Sequence, residues 1–255
     1  MTEDAGLGRR GFLLAIGGVA GLGRWIYRHR PVEQTIDVRV WVSERAAEYD
    51  DLWPRVRGYL GRALRDAHES VAIDFGGRVA VDREHGHGVM MSGEWPGHVV
   101  AGTVGLGEVN AVDDVNLLVT DGDFFATPSA AGALAFAAVG GARFIAKMPP
   151  VEESSATVGI SRPALATQVL IHEVGHALGL QHSDGEVTFE DRPVVSPMIS
   201  AYAWADPEIR GQYLGSDWGP GGGIAPVDVR SARISLEYSP TSVQKIRSYR
   251  GGLLP

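Results

Sequence analysis

Residues 171–184 read IHEVGHALGLQHSD. Three histidines, one glutamate and two glycines share this stretch, inside a segment that otherwise has the apolar character of a buried helix. Histidine and glycine are poor helix formers, and an interior glycine costs about 1 kcal/mol against alanine. A helix that carries them needs a reason, and spacing supplies one. Residues four apart lie on one helix face, with about 5–6 Å between Cβ atoms. His172 and His176 have that spacing, so both imidazoles can reach one ion. Glu173 adjoins the first and points slightly round the helix, where it can hold a water without ligating the metal. Gly179 can take the left-handed conformation that ends a helix sharply, turning the chain so that His182 returns as a third ligand. Gly175 permits close packing over the site. A histidine set of this kind suits zinc.

Residues 172–182 meet the pattern H-E-x-x-H-x-x-G-x-x-H without a mismatch, and here the chain resembles the metzincin clan of zinc endopeptidases. That clan has a methionine turn below the metal, and VVSPMIS at 194–200 places Met198 where the turn is expected. The distance from His182 to Met198 is longer than in the matrixins, as if a loop were inserted at 185–194. VNLLVTDGDFF (115–125), then GALAFAAVGG (132–141), then the histidine helix is similar to the order in reprolysins and related metzincins. The likeness covers roughly residues 110–200.

The resemblance implies an α+β (α/β-like) metzincin fold: a mixed twisted sheet with an antiparallel edge strand, an active-site helix and a loop-rich C-terminal subdomain. It places the edge strand at Gly132–Val139, so that Ala133, Leu134, Ala135 and Phe136 would pair with an extended peptide or protein substrate, the β-augmentation mode. It implies one catalytic Zn²⁺ on His172, His176 and His182, with Glu173 as general base and Met198 as the floor of the site. Asp184 would either orient a ligand histidine or be a surface residue after the helix. Some clan members have a tyrosine two residues after the methionine; Ser200 stands there, and Tyr202 is a weaker candidate for that role. Trp204, Tyr213 and Trp218 would line a specificity pocket or pack the lower half. The rival reading is a secreted, non-catalytic zinc-containing binding module of the same fold, and a zinc amidohydrolase is a third.

The 255 residues suffice for one sizeable domain. There is no cysteine, which excludes disulfides, thiolate metal sites, a cysteine nucleophile and a cysteine-based latency switch. The net charge is −8, but residues 1–30 carry five arginines against Glu3 and Asp4, so −8 less +3 leaves −11 for the remainder. An acidic body disfavours nucleic acid and anionic membrane as partners. Residues 1–30 have Arg9–Arg10 before a short apolar run, and resemble a twin-arginine export signal or an uncleaved anchor. The expected protein is therefore exported, extracellular or at the cell surface, touches membrane only through that segment, and is a monomer. The catalytic domain would span 33–255, with an upper part at 33–182 and a lower part at 183–255.

Other segments are read by periodicity. TIDVRVWV (35–42) alternates as a strand. Residues 45–68 have helical spacing, and Val71–Phe75 with Arg78–Val81 suggests a strand bulged at Gly76–Gly77. Residues 83–98 are expected as an irregular loop, Val99–Val104 as a short strand, and Val115–Thr120 as a buried parallel strand. Ala133–Val139 and Arg143–Ala146 are expected as strands, 163–180 as the histidine helix with Pro163 at its first position, and Pro240–Tyr249 as a terminal helix. His85, His87 and His98 offer a second metal site, although a solvated glycine-rich loop accounts for them as well. Asp113, Asp114, Asp121 and Asp123 offer oxygen ligands of the kind Ca²⁺ takes, but match no EF-hand spacing.

Overall fold

The computed structural model describes residues 35–123, 136–189, 191–199 and 232–249. Its organising strand is β1, Ile36–Ser43. Ile36, Val38, Val40 and Val42 point to one face and bury there, whereas Trp41 buries on the other. A strand with apolar residues on both faces needs cover on both sides, and the chain supplies it. On one side lie α1 (Leu52–Leu64) and α5 (Arg162–Ala177), whose Val56, Tyr59, Leu60, Leu170 and Val174 pack into the larger core. On the other lie α2 (Gly86–Met91) and α3 (Glu94–Thr103), which bring Val89, Met90, Trp95 and Val99 against Trp41, Leu118 and Phe136.

The first sheet has the order β2-β1-β3-β4, with β2 at Val71–Val79, β3 at Val115–Val119 and β4 at Phe136–Val139. All three of its pairings are parallel. The expected bulge is present: Val40 pairs with Phe75 and Trp41 with Gly77, leaving Gly76 extra. A Cβ on Gly76 would run into the Trp41 indole, so that glycine is required by packing. β4 corrects the expected antiparallel edge strand. Phe136–Val139 runs parallel to β3. Its four residues are buried, and α2 lies close against the Ala138–Val139 backbone at Gly86. Ala133, Leu134 and Ala135 fall outside the described residues.

A second sheet, in the order β5-β8-β7-β6, is mixed. Its strands are β5 (Thr157–Gly159), β6 (Val187–Phe189), β7 (Pro193–Val195) and β8 (Arg233–Ser235). The segment 185–194, expected as an inserted loop, thus holds β6 and most of β7, which pair antiparallel. β5 precedes the histidine helix and β8 follows it, so this sheet ties the two expected parts together. Among the described residues the fold is a mixed α/β arrangement of two sheets and six α-helices, compatible with α+β. The remaining helices are α4 (Ala142–Ile145) and α6 (Pro240–Arg247). No helix among the described residues is long and apolar enough to cross a membrane.

Four local expectations are corrected. Residues 83–98 are not an irregular loop but hold α2 and the start of α3, and Val99–Thr103 continues α3 instead of forming a strand. Arg143–Ala146 is not a strand; Ala142–Ile145 is a helical turn entered through Gly141, whose φ is +87°. Pro163 occupies the second helical position, after Arg162, and Ser161 Oγ caps the helix by accepting from Ala164 N at 3.2 Å.

Candidate metal centre

α5 carries His172, Glu173 and His176 and ends at Ala177. Gly179 takes φ +84°, as its place after the second histidine suggested. Gly179 N–H donates to His176 O and Leu180 N–H to Gly175 O, both at 2.9 Å. These two bonds close a Schellman turn. The turn has a second effect: it presents Leu180 O to His176 Nδ1, 2.8 Å away. One backbone reversal both stops the helix and orients a histidine that the helix carries.

His172 is held in a matching way. Its Nδ1 lies 2.8 Å from Pro197 O, in the turn Ser196–Ile199 that is closed by Ile199 N–H donating to Ser196 O at 3.1 Å. Gln168, one turn before His172, extends Nε2 to Ser196 O at 3.4 Å and Ile199 O at 3.2 Å. Met198 follows Pro197 and is fully buried beneath the helix against Gly175. The turn Ser196–Ile199 therefore does two things. Its sulfur fills the space under the helix, and its carbonyl aims a histidine.

His182 comes from the 3₁₀ turn His182–Asp184. Its Nε2 lies 3.2 Å from both His172 Nε2 and His176 Nε2. Among the described residues these three histidines are the one group of three or more such residues whose ligand atoms lie close enough to share an ion, all within 4.8 Å.

The protonation pattern follows from the partners. A carbonyl only accepts, so Nδ1 of His172 and of His176 must carry hydrogen, which leaves Nε2 of each neutral ring as a lone pair. His182 Nε2 can donate to one of these at most. At least one of the two 3.2 Å nitrogen–nitrogen approaches is then left without a hydrogen bond, an arrangement that a shared cation resolves. Zinc–nitrogen bonds of about 2.0–2.1 Å at tetrahedral angles put nitrogens about 3.4 Å apart. The donors present thus fit a metal ion, and the buried triad can bind one.

Burial also keeps the rings neutral. It pushes His172 down to about 3, aided by the nearby His176 charge and opposed by the Pro197 carbonyl. Burial, then His176, lowers His182 to about 4. His176 is lowered by burial too, against the Leu180 carbonyl and the Asp184 charge, which favour its cation. At neutral pH all three offer nitrogen lone pairs. Glu173 is buried beside His172 on the same helix.

Asp184 is buried, and its carboxylate faces Gln181 N at 2.6 Å and Lys245 Nζ at 2.7 Å. It therefore fixes the turn that bears His182. The acidic residues offered for calcium do not converge. Asp114 accepts from Asp37 N–H, while Asp121 is engaged by Tyr49, Arg45 and Arg143. His85, His87 and His98 form no ligand cluster either. Tyr202, Trp204, Tyr213 and Trp218 lie outside the described residues, as do residues 1–34.

Sequence reading missed Tyr238, Gly185 and Gln168. Tyr238 is buried and donates its hydroxyl to Ile171 O at 2.7 Å, directly before His172. A Cβ on Gly185 would stand 2.8 Å from Ile199 N and 2.9 Å from Met198 C, so the chain after His182 rests on the Ser196–Ile199 turn. Only the position of Gln168, four residues before His172, signalled a shared face. No protein-family model matches the chain, and no curated protein matches it.

Proposed function

We propose that this chain is an exported zinc-dependent endopeptidase of the metzincin type. The observation that carries the reading is the convergence of Nε2 from His172, His176 and His182, with two of the rings turned by carbonyl acceptors. Three nitrogen donors leave a further position open, the pattern of catalytic rather than structural zinc. The methionine turn beneath them and Glu173 beside His172 support the same reading.

Bound at these three nitrogens, zinc would supply a Lewis acid that acidifies water and polarises a peptide carbonyl. The imidazoles donate Nε2 and keep their orientation through Nδ1–H. Glu173 accepts the proton of the attacking water on its carboxylate and delivers it to the leaving amine nitrogen. The walls of α5 and the methionine turn keep bulk water from the back of the site. The substrate is a peptide or protein, and no covalent enzyme intermediate is needed.

The test is zinc content together with casein or gelatin cleavage, for wild type and Glu173→Ala. One zinc per chain in both, with cleavage falling about 10²–10⁴-fold in the variant, is the expected result. Zinc bound without cleavage of any peptide by wild type would sink the peptidase and leave the non-catalytic binding module.

A further inference from the structure

His182 is held differently from the other two histidines. His172 and His176 ride on α5, a helix of 16 residues packed in the core. His182 lies beyond it, on one short turn whose backbone decides where the imidazole points. That turn is tied down by the C-terminal segment. Asp184 O accepts from Ser239 Oγ at 2.9 Å and from Ser242 Oγ at 2.8 Å. Asp184 Oδ2 takes Lys245 Nζ at 2.7 Å and closes the turn by accepting Gln181 N–H at 2.6 Å. Ser239 is also the cap of α6, accepting from Ser242 N at 3.2 Å.

The charge arrangement matters more than the count of bonds. Asp184 is 9% exposed, and a buried carboxylate requires a counter-charge. Lys245 is the cation at this carboxylate, and it is one of only two lysines in the chain. Without the ammonium, the Asp184 carboxylate loses the side chain that holds it in place beside Gln181 N–H. That loss loosens the bond that shapes the turn next to His182.

We propose that Lys245 is a positioning residue of the metal centre: through Asp184 it fixes the turn carrying His182, and α6 thereby sets how tightly the third ligand is held. This rests on the three histidines being metal ligands, not on peptide hydrolysis. Partners behind a ligand typically change metal affinity about 10–100-fold when lost.

The experiment is a zinc titration of the full chain against a competing chelator, for wild type, Lys245→Met, Lys245→Arg, His182→Ala and the Lys245→Met/His182→Ala pair. Methionine keeps much of the apolar stem and removes the charge. Lys245→Met is expected to weaken zinc binding about 10-fold or more, and Lys245→Arg to restore it to near the wild-type value. In the His182→Ala background the lysine substitution should add nothing, because its effect passes through the missing imidazole. Wild-type affinity in Lys245→Met, or an equal loss in both backgrounds, would overturn the proposal, the second by assigning the effect to general stability. If Lys245→Met is insoluble, Ser242→Ala, alone and with His182→Ala, reads the same coupling from the Asp184 carbonyl. A wild-type chain that binds no zinc overturns the proposal outright. One that binds zinc but cleaves nothing removes the peptidase and leaves the proposal standing.

Discussion

Gly175 and Met198 compete for one space: a Cβ on Gly175 would run into Met198 Sδ while standing 3.2 Å from Leu180 Cδ1 and Tyr238 Cε1. In an open helix, glycine to alanine gains about 1 kcal/mol. Here the added methyl overpacks a closed interior, which costs about 1–3 kcal/mol, and the fully buried Met198 has no solvent to retreat into. On those two terms Gly175→Ala is expected to cost the protein about 0–2 kcal/mol of stability. In a Met198→Ala background the same change should cost much less. Urea unfolding of the four chains decides it, and an equal penalty in both backgrounds would reject the contact.

Gln168 makes a second prediction. Its amide reaches the carbonyls on both sides of Pro197, at 3.4 and 3.2 Å. Both are long hydrogen bonds, so Gln168→Leu should cost only about 1 kcal/mol of stability. The larger effect falls on the metal, because Pro197 O aims His172. Zinc affinity is expected to drop about 10-fold. Unchanged affinity, measured by chelator competition, would mean that the turn holds its shape without this side chain.

Tyr238→Phe separates stability from metal binding. The hydroxyl donates to Ile171 O, one residue before His172, and burial raises the phenol above its ordinary range. Removing it deletes a neutral hydrogen bond and leaves the ring packed against Gly175. A loss of about 0.5–1.5 kcal/mol in unfolding free energy is expected, with zinc affinity within about two-fold of wild type, since no ligand histidine is touched. An affinity loss comparable to that of Gln168→Leu would instead make this hydroxyl part of the metal centre.

The histidine triad was legible because its constraint is local: spacing along one helix and one glycine fix where the rings go. β1 was legible from its two-fold alternation, β3 from its short apolar run and α5 from the spacing of its histidines. Residues 83–98 were not. Gly86, Gly88, Gly93, Gly97 and Pro96 argue against helix by propensity, yet α2 and α3 form because Val89, Trp95 and Val99 cover the second face of the sheet. Gly86 itself is required by the close Ala138–Val139 backbone, a contact between residues far apart in sequence. The direction of β4 was hidden too, since an apolar run such as Phe136–Val139 reads alike in parallel and antiparallel ladders. The supports of the site were the least visible. Lys245, Ser239 and Tyr238 act on α5 and its following turn from more than fifty residues away.

Acid should unfold the metal-free protein through its histidines before its carboxylates. His172 is held down to about 3 in the folded chain by burial, against an ordinary value of 6.5 when unfolded. Between those values the unfolded chain binds the extra proton, so stability rises with pH. The contribution is complete above about pH 6.5 and is lost progressively as pH falls toward 3. One such histidine gives a slope of at most about 1.4 kcal/mol per pH unit. His182, lowered to about 4, acts in the same direction but more weakly because its shift is smaller and it is less buried than His172. His176 adds to the trend. Urea unfolding of the metal-free chain between pH 7.5 and 5 should therefore show a falling midpoint, and His172→Asn should flatten the fall. Subtracting the two curves removes the contribution of carboxylates common to both. Parallel curves would place the acid sensitivity elsewhere and show that His172 is solvated enough in the folded chain to take its proton at an ordinary pH.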